Sequence, residues 1–221
     1  MRKNARRKYL VKLTKKAFAV FVAAELVLLT GVFFIGRQAG ISSTKYHGGI
    51  LLVNSTHTLD ADYVPDDLVD LYVNRHSFRL ASSEIYLTRE CYTAAQQMFA
   101  AAEADNVNGF IITSGYRSYE RQKEIYDSSE PGLAQAPGCS EHQTGLAFDV
   151  TCETGDGFEN TEQYAWLNAH AHEYGFIQRY PPNKSDITGI SYEPWHYRYV
   201  GVKAANDIRD RGITLEEYIG K

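Results

Sequence analysis

The chain has 221 residues, 44% of them hydrophobic and 23% charged, enough for one membrane segment and one domain of ordinary size. Its formal charge of −4 hides a division: residues 1–16 carry eight Lys or Arg and no acid, while residues 38–221 hold 14 bases against 26 acids. So acidic a body repels phosphate backbones, which argues against nucleic acid as a partner, and three cysteines are too few for a disulfide scaffold.

Residues 1–16 read as a basic cytoplasmic tail, and residues 17–36 as a transmembrane signal anchor. The anchor is long enough to cross a bilayer core of ~30 Å at ~1.5 Å per residue. Glu25 opposes insertion by roughly 2.5–3.5 kcal/mol, whereas each Leu, Ile, Phe or Val favours it by roughly 0.3–0.6. Twelve such residues match or exceed that penalty. A cleaved signal peptide fits less well, because the apolar run is too long and Arg37 stands where a small residue is wanted. The basic flank then predicts a single-pass protein of the cytoplasmic membrane, with its N-terminus inside and the rest outside the cell. Residues 37–48 have linker composition, leaving 49–221 as the folded domain.

Within that domain, residues 50–54 predict a first apolar strand or extended segment. Residues 84–105 predict a helix, with Tyr92, Ala95, Met98, Phe99 and Ala102 on one face. Residues 110–113 predict a short strand, and Ser118 suits the N-cap of a helix running to about Asp127. A Ser/Pro/Gly-rich loop follows. Residues 145–151 then alternate as a strand, with Leu146, Phe148 and Val150 on one side and Ala147, Asp149 and Thr151 on the other. A helix over 161–174, strands over 176–180 and 195–200, and a short C-terminal helix from about Thr214 complete the pattern. Interspersed strands and helices predict an α+β domain with a small, mainly antiparallel sheet.

Two stretches carry the chemistry: Ser-Glu-His-Gln-Thr-Gly-Leu-Ala-Phe-Asp (140–149) and Glu-Pro-Trp-His (193–196). His142, Asp149 and His196 would make a zinc set of two imidazoles and one carboxylate with a position left open for water. Glu193 would be placed to take a proton from that water and pass it to a departing amine. Spacing alone leaves the ordinary alternative standing, since a histidine near a carboxylate is more often a surface pair or a satisfied core hydrogen bond. No His-Glu-x-x-His helix is present. His47, His57, His76, His170 and His172 lack a motif, Trp195 reads as a packing residue, and Cys91 as a buried small hydrophobe. Cys139 and Cys152 bracket the 140–149 motif. Export would permit a bridge between them, although spacing leaves bridge and free thiols both open.

Ser-Gly-Tyr-Arg-Ser (114–118), the 140–149 motif, Tyr-Gly-Phe-Ile-Gln-Arg-Tyr-Pro (174–181) and Tyr-Glu-Pro-Trp-His-Tyr-Arg-Tyr-Val-Gly (192–201) together resemble VanY-type D-alanyl-D-alanine carboxypeptidases. These belong to a group of zinc peptidases that includes lysostaphin-type enzymes and the hedgehog amino-terminal domain. The resemblance spans roughly residues 50–202. It implies a small antiparallel sheet carrying one zinc ion, with helices packed around it. It further implies His142, Asp149 and His196 as ligands, Glu193 as general base and Arg117 as the charge opposite the developing oxyanion. Ser140 and Gln122 would hold the substrate. The implied activity is removal of the terminal D-Ala from peptidoglycan stem peptides without a covalent intermediate, a cell-wall remodelling reaction linked in relatives to glycopeptide resistance. The alternatives are a peptidoglycan endopeptidase of the same group and a non-catalytic zinc module that binds the cell wall.

Overall fold

The computed structural model describes residues 46–47, 49–74, 76–130, 133–153 and 157–220. The predicted tail and anchor lie outside them, as does nearly all of the linker. Among the described residues no helix is long and apolar enough to cross a membrane.

In chain order the elements are β1 (Tyr46–His47), β2 (Ile50–Leu51), β3 (Leu68–Asp70), β4 (Arg79–Leu80) and β5 (Tyr86–Thr88). There follow α1 (Arg89–Ala104), β6 (Phe110–Ser114), α2 (Tyr119–Ser128), β7 (Ala147–Cys152) and α3 (Glu162–His170). The chain closes with β8 (Phe176–Gln178), α4 (Ser185–Thr188), β9 (His196–Tyr199), α5 (Val202–Arg211) and α6 (Leu215–Ile219). The main sheet has the order β4-β6-β7-β9-β8. Its β4–β6 pair is parallel and its other pairs are antiparallel.

Alternation along the central strands gives the sheet two different faces. Phe148 pairs with Tyr197, and Phe176 with Tyr199, on one side. There Phe148 packs against Phe99 of α1, Phe176 and Tyr197 in the larger core, which also takes in Trp166 and Leu167 of α3. Asp149 pairs with His196, Ala147 with Arg198, and Ile177 with Arg198 on the opposite side. Ile177 belongs to a second, smaller core with Leu52, Ala205, Ile208 and Leu215. The polar residues of the site therefore share the face that α5 and α6 cover, while the aromatic face anchors the strands.

Several boundaries differ from the sequence expectation for physical reasons. Residues 86–88 form β5 rather than the start of the helix, because Tyr86, Leu87 and Thr88 pair with Asp70, Val69 and Leu68. The predicted strand over 145–151 begins at Ala147, since Gly145 adopts φ 66° to close a 3-10 turn over Glu141–Thr144. A Cβ there would meet Leu68 and Thr88 at 3.0–3.3 Å, so both conformation and space favour glycine. The helix over 161–174 stops at His170 and continues as a 3-10 turn, Ala171–Tyr174. Helix α5 and strands β3 and β4 were not anticipated, and the expected strand at 50–54 shortens to β2. The Ser118 cap does form, its side chain accepting from the Arg121 amide at 3.1 Å. Thr214 and Glu217 close a capping box at the start of α6.

The possible Cys139–Cys152 bridge is absent: all three thiols are free and buried. Cys152 ends β7, five residues beyond Ala147, and a strand advances about 3.3 Å per residue. That extension carries it away from the Glu141–Thr144 turn that Cys139 precedes, whereas a disulfide needs Cα atoms within about 7 Å.

Candidate active site

Strand pairing places the first residues of the site. Asp149 of β7 lies directly across from His196, the first residue of β9. His142 arrives from the 3-10 turn that precedes β7. Two hydrogen bonds clasp this turn to the Ser114–Ser118 segment: the Arg117 amide donates to the His142 carbonyl at 3.1 Å, and His142 Nδ1 contacts the Gly115 carbonyl at 2.8 Å. A carbonyl only accepts, so Nδ1 carries the proton and Nε2 is left with its lone pair facing inward. That Nε2 stands 3.3 Å from Asp149 Oδ2, and His196 Nδ1 stands 3.1 Å from Asp149 Oδ1. The two rings are 4.9 Å apart and nearly perpendicular.

His142, Asp149 and His196 thus offer one donor atom each, all within 4.8 Å of one another, the only such group of three among the described residues. Their mutual contacts do not satisfy them. Asp149 Oδ1, on the inner side of the cluster, is buried without a hydrogen-bond partner. A buried carboxylate oxygen left unpaired between two imidazoles is what a cation would satisfy, and two imidazoles with one carboxylate suit zinc.

The electrostatics agree. Burial pushes the Asp149 carboxyl up, but His142 and His196 together hold it well below the usual carboxylate range. Burial lowers His142 despite the attraction of Asp149, which keeps its imidazole neutral. For His196, burial is outweighed by Asp149 and Glu141, and its pKa is pushed up to about 9.

Glu193 is half-buried, with Oε2 3.7 Å from His196 Nδ1, and burial raises its pKa. Arg117 is placed by its own fork: Nη1 donates to Gln122 Oε1 at 2.7 Å and Nη2 to Ser114 Oγ at 3.0 Å. Burial lowers its pKa, against the pull of Asp149 and Glu193, and a guanidinium remains charged all the same. Ser140 is buried at the head of the 3-10 turn, its carbonyl accepting from the Gln143 amide at 3.2 Å. Gln122, expected to meet substrate, has both ends of its amide engaged within the protein, since Nε2 donates to the Gln135 carbonyl at 2.6 Å. It braces Arg117. Trp195, expected to pack, is 42% exposed. The strand is tied instead through its backbone carbonyl, which accepts from Val150 N at 3.0 Å.

The sequence reading missed a buried charged group behind the cluster. Glu141 Oε1 accepts from Arg179 Nε and Arg198 Nη1, both at 2.8 Å. Arg179 reaches on to Glu216 of α6 at 2.9 and 2.5 Å, and Arg198 Nη2 donates to the Leu51 carbonyl at 2.6 Å. The available signal was an arginine in each of two aromatic strand segments, residues that stay charged and need carboxylates once buried.

Comparison with known proteins accords with this geometry. Residues 84–202 match the family model described as VanY, D-alanyl-D-alanine carboxypeptidase. The putative carboxypeptidase YodJ of Bacillus subtilis (strain 168) is 44% identical over 202 residues, covering 85% of this chain and 73% of the relative. Among solved structures, the LdcB LD-carboxypeptidase superposes with TM-score 0.69 at 39% identity, covering 80% of this chain and 92% of that one. The vancomycin resistance D,D-pentapeptidase VanY from a VanB-type cassette, in complex with Zn(II), gives TM-score 0.64 at 36% identity, covering 77% and 98%. The chain belongs to the VanY D-alanyl-D-alanine carboxypeptidase family.

Proposed function

We propose that this protein removes the C-terminal D-alanine from peptidoglycan stem peptides, with one zinc held by His142 Nε2, Asp149 and His196 Nδ1. The observation that carries this reading is the convergence of those three donors beside Glu193 and Arg117. Zinc bound there supplies a Lewis acid that acidifies water and polarises a carbonyl. Glu193, its pKa raised by burial, holds and returns the proton that the leaving amine needs. The Arg117 guanidinium, fixed by Gln122 and Ser114, opposes negative charge on the carbonyl oxygen. Ser140 lines the same turn as His142 and is the candidate contact for the peptide. No residue is placed as a covalent nucleophile in this scheme.

The apolar run at 17–36 behind a basic flank supports a placement on the outer side of the cytoplasmic membrane, where such peptides occur. Protease added to intact protoplasts should digest the domain; a domain spared until lysis sinks that placement. A second specificity is favoured by the likeness to an LD-carboxypeptidase. Purified protein incubated with pentapeptide and tetrapeptide muropeptides, followed by mass analysis, separates the two. Loss of one alanine from the pentapeptide alone supports the D,D reading. Loss of one alanine from the tetrapeptide replaces it with the L,D reading, and an internal cut replaces it with endopeptidase action.

A further inference from the structure

Glu141 has one oxygen that the ion pairs with arginine leave unused. The residue is fully buried in the turn before His142, and Oε1 takes both arginine hydrogen bonds. Oε2 accepts none, and stands 3.5 Å from His196 Nε2, which is also buried and without a hydrogen-bond partner. The other nitrogen of that ring faces Asp149 and Glu193. The His196 imidazole therefore lies between a carboxylate on the cluster side and a second carboxylate behind it.

We propose that Glu141 is the positioning residue of the metal centre, its Oε2 accepting the Nε2–H of His196 so that Nδ1 is the atom presented to zinc. This rests on the ligand reading above and extends it to the support behind the ligand. A neutral imidazole has a single N–H, so a proton held at Nε2 leaves the Nδ1 lone pair free. Glu141 can serve only as a fixed anion, and the hydrogen bonds that Arg179 Nε and Arg198 Nη1 donate to its Oε1 at 2.8 Å supply that condition. Two carboxylates and two guanidinium groups, Glu141, Glu216, Arg179 and Arg198, make a neutral cluster inside the protein. Through Glu216, helix α6 is linked to a metal ligand by the chain Glu216–Arg179–Glu141–His196.

The competing view is that Glu141 only neutralises two buried arginines. Glu141→Gln separates them, because a carboxamide can still accept from the arginines while placing an NH2 opposite Nε2. That donor favours the His196 tautomer with the proton on Nδ1, which cannot coordinate. Chelator competition on the full chain should then show zinc affinity reduced about 10- to 100-fold. Unchanged affinity in a folded Glu141→Gln protein overturns the proposal. Should that variant not fold, the unsubstituted chain decides. In 15N-histidine-labelled protein titrated with zinc, His196 should coordinate through Nδ1 and retain a proton on Nε2. Coordination through Nε2 overturns the role of Glu141 and spares the ligand set. Absence of any His196 response overturns the ligand set itself.

Discussion

Arg179→Met tests the buried charge cluster by its cost. The Arg179 side chain has no exposure and makes three hydrogen bonds to two carboxylates. Without it Glu141 keeps Arg198, but Glu216 keeps only a 3.3 Å contact from Asn54 Nδ2. Removing one partner of a buried pair costs about 3–5 kcal/mol, because the stranded charge has lost its solvation as well as its partner. For a domain of this size each kcal/mol lowers the melting midpoint by about 2–4 °C, so the fall should be about 6–20 °C. Metal-free protein is the right sample, since bound zinc would add its own stabilisation. Arg79→Met is the control. Its ion pair with Glu153 is largely exposed, and its loss should move the midpoint by about 4 °C or less. Replacing both partners, Arg179→Met with Glu216→Leu, should recover much of the loss. Circular dichroism melts that give Arg179→Met no larger a shift than Arg79→Met would refute the reasoning.

Three further outcomes follow from the site and its supports. Glu193→Gln should retain zinc while turnover falls about 10²- to 10⁴-fold, as measured by metal content and peptide hydrolysis; an active variant removes Glu193 from its role. In Gly115→Ala the new Cβ would stand 2.4 Å from the Tyr86 carbonyl oxygen, a backbone atom with little room to yield. The Gly115 carbonyl that orients His142 should shift, and zinc affinity should fall roughly 10- to 100-fold in a chelator competition. Titration with a thiol reagent should find almost no reactive cysteine in the native protein and three after denaturation. Burial raises the pKa of Cys91 and Cys139, reinforcing their native inertness. One thiol after denaturation would restore the Cys139–Cys152 bridge.

The ligand strand was legible because its alternation is strict: Phe148 and Val150 pointed to the core, so Asp149 had to face the other way. The capping signal at Ser118 is local and appears where the side chain required it, and the helix expected from about Thr214 begins at Leu215 behind a Thr214 cap. The extended start of the 84–105 segment was not legible, because its pairing partner is Leu68–Asp70, a strand without alternation of its own. Arg117 could be named from its motif, but its dependence on Gln122 and Ser114 is a matter of three-dimensional approach. Glu141, Arg179, Arg198 and Glu216 escaped for the same reason. Each resembles a surface charge in one dimension, and only strand register and the packing of α6 bring the four together.

The central claim is that one zinc ion at His142, Asp149 and His196 is required for carboxypeptidase activity. Its most direct measurement is a zinc titration of chelator-stripped protein, following bound metal and stem-peptide hydrolysis in the same samples. Hydrolysis should be absent without metal, with binding and activity rising together and saturating at one zinc per chain. Full activity in the stripped protein, or activity that tracks a second ion after the first has bound, would contradict it.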